Sequence, residues 1–447
     1  MRPTAETDAT SAMRPALIAL LAALALAGCS HGSSDPLAGF GPNPPLPAPH
    51  KSLLPTIGIP KVVGWPAGAA PKAPPGFVVT RFAEGLDHPR WLYVLPNGDV
   101  LASESASEPS AADMKGVRGW FAMHLMKAVG AVEHSPNEII LLRDADGDGR
   151  AETRTVFASG LRRPFGMTLV GDSLYVANDD SLVRFAYQPG QTAVSGAPET
   201  LLDLPGGPIN HHWTKNVAAS PDGSKLFITV GSNSNVGENG VAAEQGRAAI
   251  WEYDLASRRA RVFASGLRNP NGLAWEPQTG ALWTTVNERD EIGDDLPPDY
   301  MTAVRDGAFY GWPYSYYGPH VDVRPKPQQP DLVARAIAPD YALGPHTASL
   351  GLAFYTADAF PPAWRGGAFI GQHGSWNRRP LNGYRVVFVP FANGKPTTPA
   401  QVFLSGFLNA ENRIQGRPVG VAVDKRGGLL VADDVGGVIW RVAPAGR

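Results

Sequence analysis

The alternation of apolar and polar positions that opens at Phe77, FVVTRF, predicts a β-strand, because successive side chains of a strand point to opposite faces. A longer phrase then recurs along the chain. It reads FAEGLDHPRWLYVLPNGDVLASE from Phe82, FASGLRRPFGMTLVGDSLYVAND from Phe157, FASGLRNPNGLAWEPQTGALWTTVNERDEIGDD from Phe263 and FLSGFLNAENRIQGRPVGVAVDKRGGLLVADD from Phe403. Weaker copies begin at His211 and Thr347, which makes six. In the copy from Phe263 the pattern predicts an outer strand over 261–264, a loop carrying Arg268 and Asn269, and an inner strand over 272–275. A tight turn, a return strand over 281–286 and an acidic loop ending at Asp295 follow. Strands alternate direction, so the loops before the inner strand and after the return strand share one face, opposite the turn between them.

A unit of short strands bounded by Gly, Asp and Asn turns cannot bury its own apolar faces, and repetition of such units predicts a radial array. The expected fold is all-β, a six-bladed β-propeller with long top-face loops and one helical insertion. A two-sheet sandwich would not require the phrase six times. The strand at Phe77 precedes the first phrase, so it takes the outer slot of a blade whose other strands lie within 419–442, closing the ring and removing both sheet edges.

The chain ahead of that strand reads differently. Met13-Arg14 precedes an apolar run, Ala16 to Ala27, too short for an ordinary membrane span, which ends in Leu26-Ala27-Gly28-Cys29. This resembles a bacterial lipoprotein signal: residues 1–28 are removed, Cys29 is lipidated, and the protein is held in the periplasm by its lipid anchor, with Ser30 fitting outer-membrane sorting. Met13 reads as the better start. Cys29 is the only cysteine, so no intramolecular disulfide or thiolate cluster forms. Residues 29–75 are rich in Pro, Gly and Ala and read as a tether; 76–447 form the propeller domain. Within it, 104–138 is an insertion in which Trp120, Met123, Leu125, Met126 and Val129 have helical spacing, an amphipathic helix over the top rim or the membrane-facing side. The balance of 39 basic and 41 acidic residues gives no footprint for nucleic acid, which leaves small molecules as partners.

Candidate chemistry gathers on one face. The turns at Asn97-Gly98, Asp222-Gly223, 277–280 and 424–428 are generic. The other side collects Arg90, His211, His212, Arg268, Asn269, the run 287–295, His373 to Arg379 and Arg413 to Arg417. Several arginines around an axis suit a small polyanion held through its carboxylates, and a histidine beside them suits a general base. No phosphate-cradling Gly loop, serine elbow or thiol pair is present. Apart from this face, Asp144, Asp146 and Asp148 alternate with small residues like the first half of a calcium loop, but Thr155 stands where a bidentate Glu belongs, so a structural Ca2+ and a solvated turn both remain open.

GLRNPNGLAW, RDGAFYGWP and HHWTKNVAASPDG resemble the glucose/sorbosone dehydrogenases, and NERDEIGDD, HGSWNR and GRPVGVAVD the L-sorbosone dehydrogenase-like branch. That family consists of six-bladed propellers using pyrroloquinoline quinone (PQQ) with Ca2+. The resemblance implies oxidation of a sugar or sugar-derived aldehyde with electrons passed to an external periplasmic acceptor. It implies His212 as the catalytic base, Arg268 and Asn269 at quinone and substrate, and Arg417 on PQQ carboxylates. Arg90, in the repeat slot of Asn271, is read as a further carboxylate clamp. The chain also departs from the family. Asn216 replaces an arginine, Asp290 and Glu291 stand where backbone carbonyls meet Ca2+, and His373 or Arg378 takes the place of a missing lysine. Two other classes stay open, a Ca2+-dependent lactone or ester hydrolase and a non-catalytic binding propeller.

Overall fold

The computed structural model describes residues 32–50, 60–108, 135–397 and 399–446. The signal segment with Cys29 and the helix expected around Trp120 to Val129 lie outside the described residues.

Six antiparallel sheets stand around one axis, each running from an inner to an outer strand. Blade 1 is Pro89–Val94, Val100–Glu104, Glu138–Arg143 and Thr153–Ala158. Blade 2 is Met167–Val170, Ser173–Ala177, Ser181–Ala186 and Glu199–Asp203. Blade 3 is Val217–Ala219, Lys225–Val230, Ala249–Asp254 and Arg259–Ser265. Blade 4 is Pro270–Trp275, Leu282–Val286, Pro298–Ala303 and Tyr341–Pro345. Blade 5 is Ser349–Phe354, Gly367–Gln372, Arg385–Ala392 and Gln401–Leu404. Blade 6 is Pro418–Val423, Leu429–Asp433 and Val438–Pro444, completed by Phe77–Glu84 from the other end of the domain. Val79 faces Val442 and Thr80 faces Arg441 across that closure, as the position of the first strand predicts. Each copy of the repeated phrase supplies the inner and return strands of one blade.

The inner strands converge so tightly that side chains are excluded from one slot. A Cβ on Gly272 would lie 2.6 Å from Leu352 Cβ, one on Gly351 2.2 Å from Val419 O, and one on Gly420 2.7 Å from Arg90 O. Those contacts are shorter than any relaxed packing allows, so the repeated Gly of the phrase is the condition for bringing neighbouring blades together. Between blades the core is apolar and heavily aromatic. Phe360, Phe369, Phe388 and Phe403 pack with Trp440 and Val431 between blades 5 and 6.

The chain ahead of the domain departs from a free tether. Phe40–Gly41 adds a fifth strand to blade 4, Phe40 facing Leu343. Trp65 packs edge-on against Phe407 and Trp440, with ring centroids 5.4 and 5.1 Å apart. Pro/Gly-rich sequence lacks the periodicity that announces a core element, yet isolated aromatics and free backbone groups are enough for it to pair with an edge that already exists.

Blade 4 carries the other unforeseen elaboration. Its third and fourth strands are joined through residues 304–340, which include the hairpin Ser315–Tyr316/His320–Val321 and the short helix Pro330–Ala334.

Candidate active site

His212 precedes the inner strand of blade 3 and reaches the loop that leaves the second strand of the same blade. Its Nδ1 lies 3.1 Å from Ser232 O and 2.8 Å from Ser232 Oγ. Ser232 Oγ donates its single proton to Ser234 O at 2.6 Å, and a carbonyl can only accept, so Nδ1 must carry the imidazole proton. That leaves Nε2 as the basic nitrogen. Burial, reinforced by the charge of Arg268, holds His212 well below the ordinary histidine value and therefore neutral near pH 7.

Arg268 is buried and all five of its N–H groups are engaged. Nε donates to Asn235 O (3.2 Å), Nη1 to Asn287 O (3.3 Å) and Glu288 O (2.6 Å), and Nη2 to Asn235 Oδ1 (2.9 Å) and Asp290 Oδ2 (3.1 Å). The acidic loop and the Arg-Asn loop thus meet, as strand alternation requires. A guanidinium tied in this way cannot offer a fork to a ligand carboxylate; it contributes a fixed positive charge. Asp290 also accepts from Asn377 Nδ2 at 2.6 Å and lies 3.7 Å from His346 Nδ1. Burial alone would raise Asp290, but Arg268 and His346 outweigh it and hold the carboxyl well below the usual range. His346 is raised in turn, because Asp290 overcomes the effect of burial.

A second cluster is built from blades 1, 5 and 6. Arg90 and His373 both bind Asp434, His373 through Nε2 at 2.8 Å. Arg417 donates from Nε to His373 O at 2.9 Å and from Nη2 to Gly374 O at 2.8 Å. Burial would raise Asp434, yet His373 and Arg90 keep it ionised far below its ordinary value. Burial, with Arg417 beside it, pushes His373 down to about 4. Beside this cluster lies the buried Trp213 ring, with the guanidinium carbons of Arg90 and Arg163 5.6 and 5.8 Å from its centroid.

Not every residue expected at the site is there. Arg378 is turned to the N-terminal segment, donating to Ser33 O at 2.8 Å, Asp295 Oδ1 at 2.6 Å and Asp294 O at 2.8 Å, so it fastens that segment instead of binding a cofactor. Glu291, at positive φ, swings outward to Arg324 at 2.5 Å while Asp290 points inward. The two acids therefore do not form one metal site. Asp144, Asp146 and Asp148 are joined by Glu152 in a group whose ligand atoms lie within 4.8 Å of one another, on the face opposite the site. Asp144 Oδ1 accepts from Gly147 N at 2.7 Å, which is how such a turn also holds itself together without an ion.

Sequence reading passed over Asp434, Asn235, His346 and Lys215. Asp434 had a signal, since LLVADD ends its phrase in the slot that ends LYVANDD and WTTVNE. Asn235 and His346 lie in loops without a repeat register. Lys215 is fully buried ahead of the blade 3 inner strand, and burial together with Arg247 brings it down to about 7.

The glucose/sorbosone dehydrogenase family model matches residues 252–432, and a TrAA12-like family model matches residues 138–303. An uncharacterized protein of Borreliella burgdorferi is 26% identical over 303 residues, 64% of this chain and 76% of its own length. A pyrroloquinoline quinone-dependent pyranose dehydrogenase of Coprinopsis cinerea is 26% identical over 428 residues; they cover 82% of this chain, which spans about half (53%) of that longer relative. The solved PQQ domain of pyranose dehydrogenase from Coprinopsis cinerea superposes with a TM-score of 0.66 at 21% identity, over 87% of this chain and 100% of that domain, a likeness of fold. Residues 252–432, from the third strand of blade 3 into blade 6, are thus similar to the glucose/sorbosone dehydrogenase family and lie within a complete six-bladed propeller.

Proposed function

We propose that the protein is a PQQ-dependent oxidoreductase that oxidises a sugar or sugar-derived aldehyde, sorbosone- or aldose-like, at the top-face end of the propeller axis. The observation that carries this reading is His212, a neutral imidazole with its proton fixed on Nδ1 by Ser232 and its basic Nε2 left over, beside the immobile charge of Arg268.

The residues suit a planar polyanion. Arg90, Arg268 and Arg417 come from different blades, and the Trp213 ring packs beside Arg90. Arg90 Nε, Asn269 Oδ1 and Asn271 Oδ1 are buried with no hydrogen-bond partner in the protein, a costly state that a polar ligand relieves. Arg90 and Arg417 would hold carboxylates, while Arg268 would act through its fixed charge alone. Asp290 is the acid of the loop available to Ca2+. When bound, PQQ supplies a two-electron quinone acceptor, polarised by Ca2+.

His212 Nε2 takes the substrate hydroxyl proton, Ser232 preserves the tautomer that makes this possible, and Arg268 stabilises negative charge developing near it. Electrons leave to an external acceptor in the periplasm, where the lipid on Cys29 tethers the protein. A metal-dependent hydrolase is less well supported, because Glu291 turns away from Asp290. Titration of the purified protein with PQQ and Ca2+, followed by dye reduction with a panel of aldoses and aldehydes, tests the reading. Bound-quinone absorbance with sugar-dependent dye reduction is expected; a protein that takes up no PQQ overturns it.

A further inference from the structure

The loop Ser232 to Asn235 is shared by the two groups to which the proposed reaction is assigned. Its first residue holds His212. Its last, Asn235, grips Arg268: the backbone oxygen takes Nε at 3.2 Å and the side-chain oxygen takes Nη2 at 2.9 Å. One residue thus presents two oxygens to one edge of the guanidinium, as a carboxylate would, but without a carboxylate's charge. The same Oδ1 accepts Asp290 N at 2.9 Å, and Trp312 Nε1 donates to Asn235 O at 3.0 Å.

The loop is itself clamped from behind. Glu244 is buried and accepts from Asn233 N at 2.6 Å and Ser234 Oγ at 2.5 Å. Glu238 accepts from Asn235 N at 3.1 Å and Val236 N at 2.7 Å. Close contact also fixes the base of the loop: a Cβ on Gly231 would lie 2.5 Å from His212 Cβ and 2.7 Å from Asn269 Oδ1. The loop is therefore a rigid frame, and Asn235 is where it meets the cation.

We propose that Asn235 is a positioning residue that orients the Arg268 guanidinium against His212 and Asp290 in the ligand-free protein. The inference rests on the assignment of Arg268 to the reaction made above. An immobile neutral acceptor pair sets the direction of the charge without cancelling it, which is what electrostatic preorganisation requires.

A double-mutant cycle on Asn235 and Arg268 tests this, read in turnover, in PQQ affinity and in the unfolding midpoint of the cofactor-free protein. Asn235→Ala should lower turnover roughly ten- to a hundred-fold, the usual consequence of misplacing a group by about an ångström. In an Arg268→Ala background the same substitution should lower it no further, because Asn235 acts through Arg268. Asn235→Asp, which keeps the accepting oxygen but adds a charge that offsets that of Arg268, should leave most of the loss in turnover in place. Asn235→Gln, which moves that oxygen by one methylene, carries the same test if the alanine variant does not fold. Full additivity of the two substitutions in all three readouts overturns the proposal. If wild-type protein takes up no PQQ, the functional reading fails, and the unfolding midpoints still decide whether Asn235 and Arg268 are coupled.

Discussion

Replacing Trp65 by Phe asks whether the segment ahead of the propeller supports the site or merely precedes it. The substitution keeps an aromatic ring against Phe407 and Trp440 and removes one hydrogen bond, from Trp65 Nε1 to Asp433 Oδ2 at 2.7 Å. Asp433 is fully buried; Oδ2 also accepts from Trp440 Nε1 at 3.1 Å, and Oδ1 accepts from Arg417 N at 2.7 Å and Gly436 N at 2.9 Å. Hydrogen bonds to charged groups contribute about 1.5–3 kcal/mol. At about 2.1 cal/mol/K per residue, a propeller of roughly 400 residues loses ~0.8 kcal/mol per degree, so the expected fall in Tm is about 2–4 °C.

The pH dependence follows from the same carboxylate. Burial raises Asp433 to about 6, against the hydrogen bonds from Trp440, Trp65 and Arg417 N. Losing a donor penalises the ionised form more than the neutral one, so in the variant the group titrates higher still. The deficit of Trp65→Phe is then fully present above that raised value and vanishes as the pH falls below about 6. Thermal or urea unfolding of both proteins at pH 5 and pH 8.5 reads it directly. An equal deficit at the two pH values, or none at either, refutes the account of Asp433 as a charge held by the N-terminal segment.

Other outcomes follow from the site. His212→Ala should lower turnover by roughly two to four orders of magnitude while PQQ still binds, and His211→Ala, at an exposed position, should do much less; the reverse ranking in steady-state dye reduction would put the base one residue earlier. Arg417→Ala should weaken PQQ binding in an absorbance or calorimetric titration and leave KM for the sugar at saturating cofactor nearly unchanged, with Lys at that position recovering only part, since a point charge cannot form two parallel bonds; unchanged affinity would remove Arg417 from the cofactor site. Cys29→Ser should move the protein from the membrane to the soluble fraction with its unfolding midpoint unaltered, and continued membrane retention would contradict the lipid anchor.

How much of this was legible in the sequence depended on the range of the interaction involved. The blades were legible because each is encoded locally, by alternation, turn chemistry and a Gly in the inner strand, and because the phrase was written six times. Strand alternation alone then put Arg268, Asn269 and the acidic loop on one face, where Arg268 and Asp290 indeed meet. Ring closure by Phe77–Glu84 was equally determined, since an unpaired first strand and a three-stranded last blade need each other.

Side-chain partners across long separations were decided only in three dimensions. Arg378 and Arg417 look alike in sequence, but one is consumed by Ser33 and Asp295 and the other donates to the carbonyls of His373 and Gly374. Asp290 and Glu291 are neighbours, and a single positive φ sends them opposite ways. Trp65 meets Asp433 across 368 residues. Repeats fix where a backbone goes because they are sums of local preferences; which polar groups find one another when that backbone closes is settled by desolvation and geometry among residues that no local pattern connects.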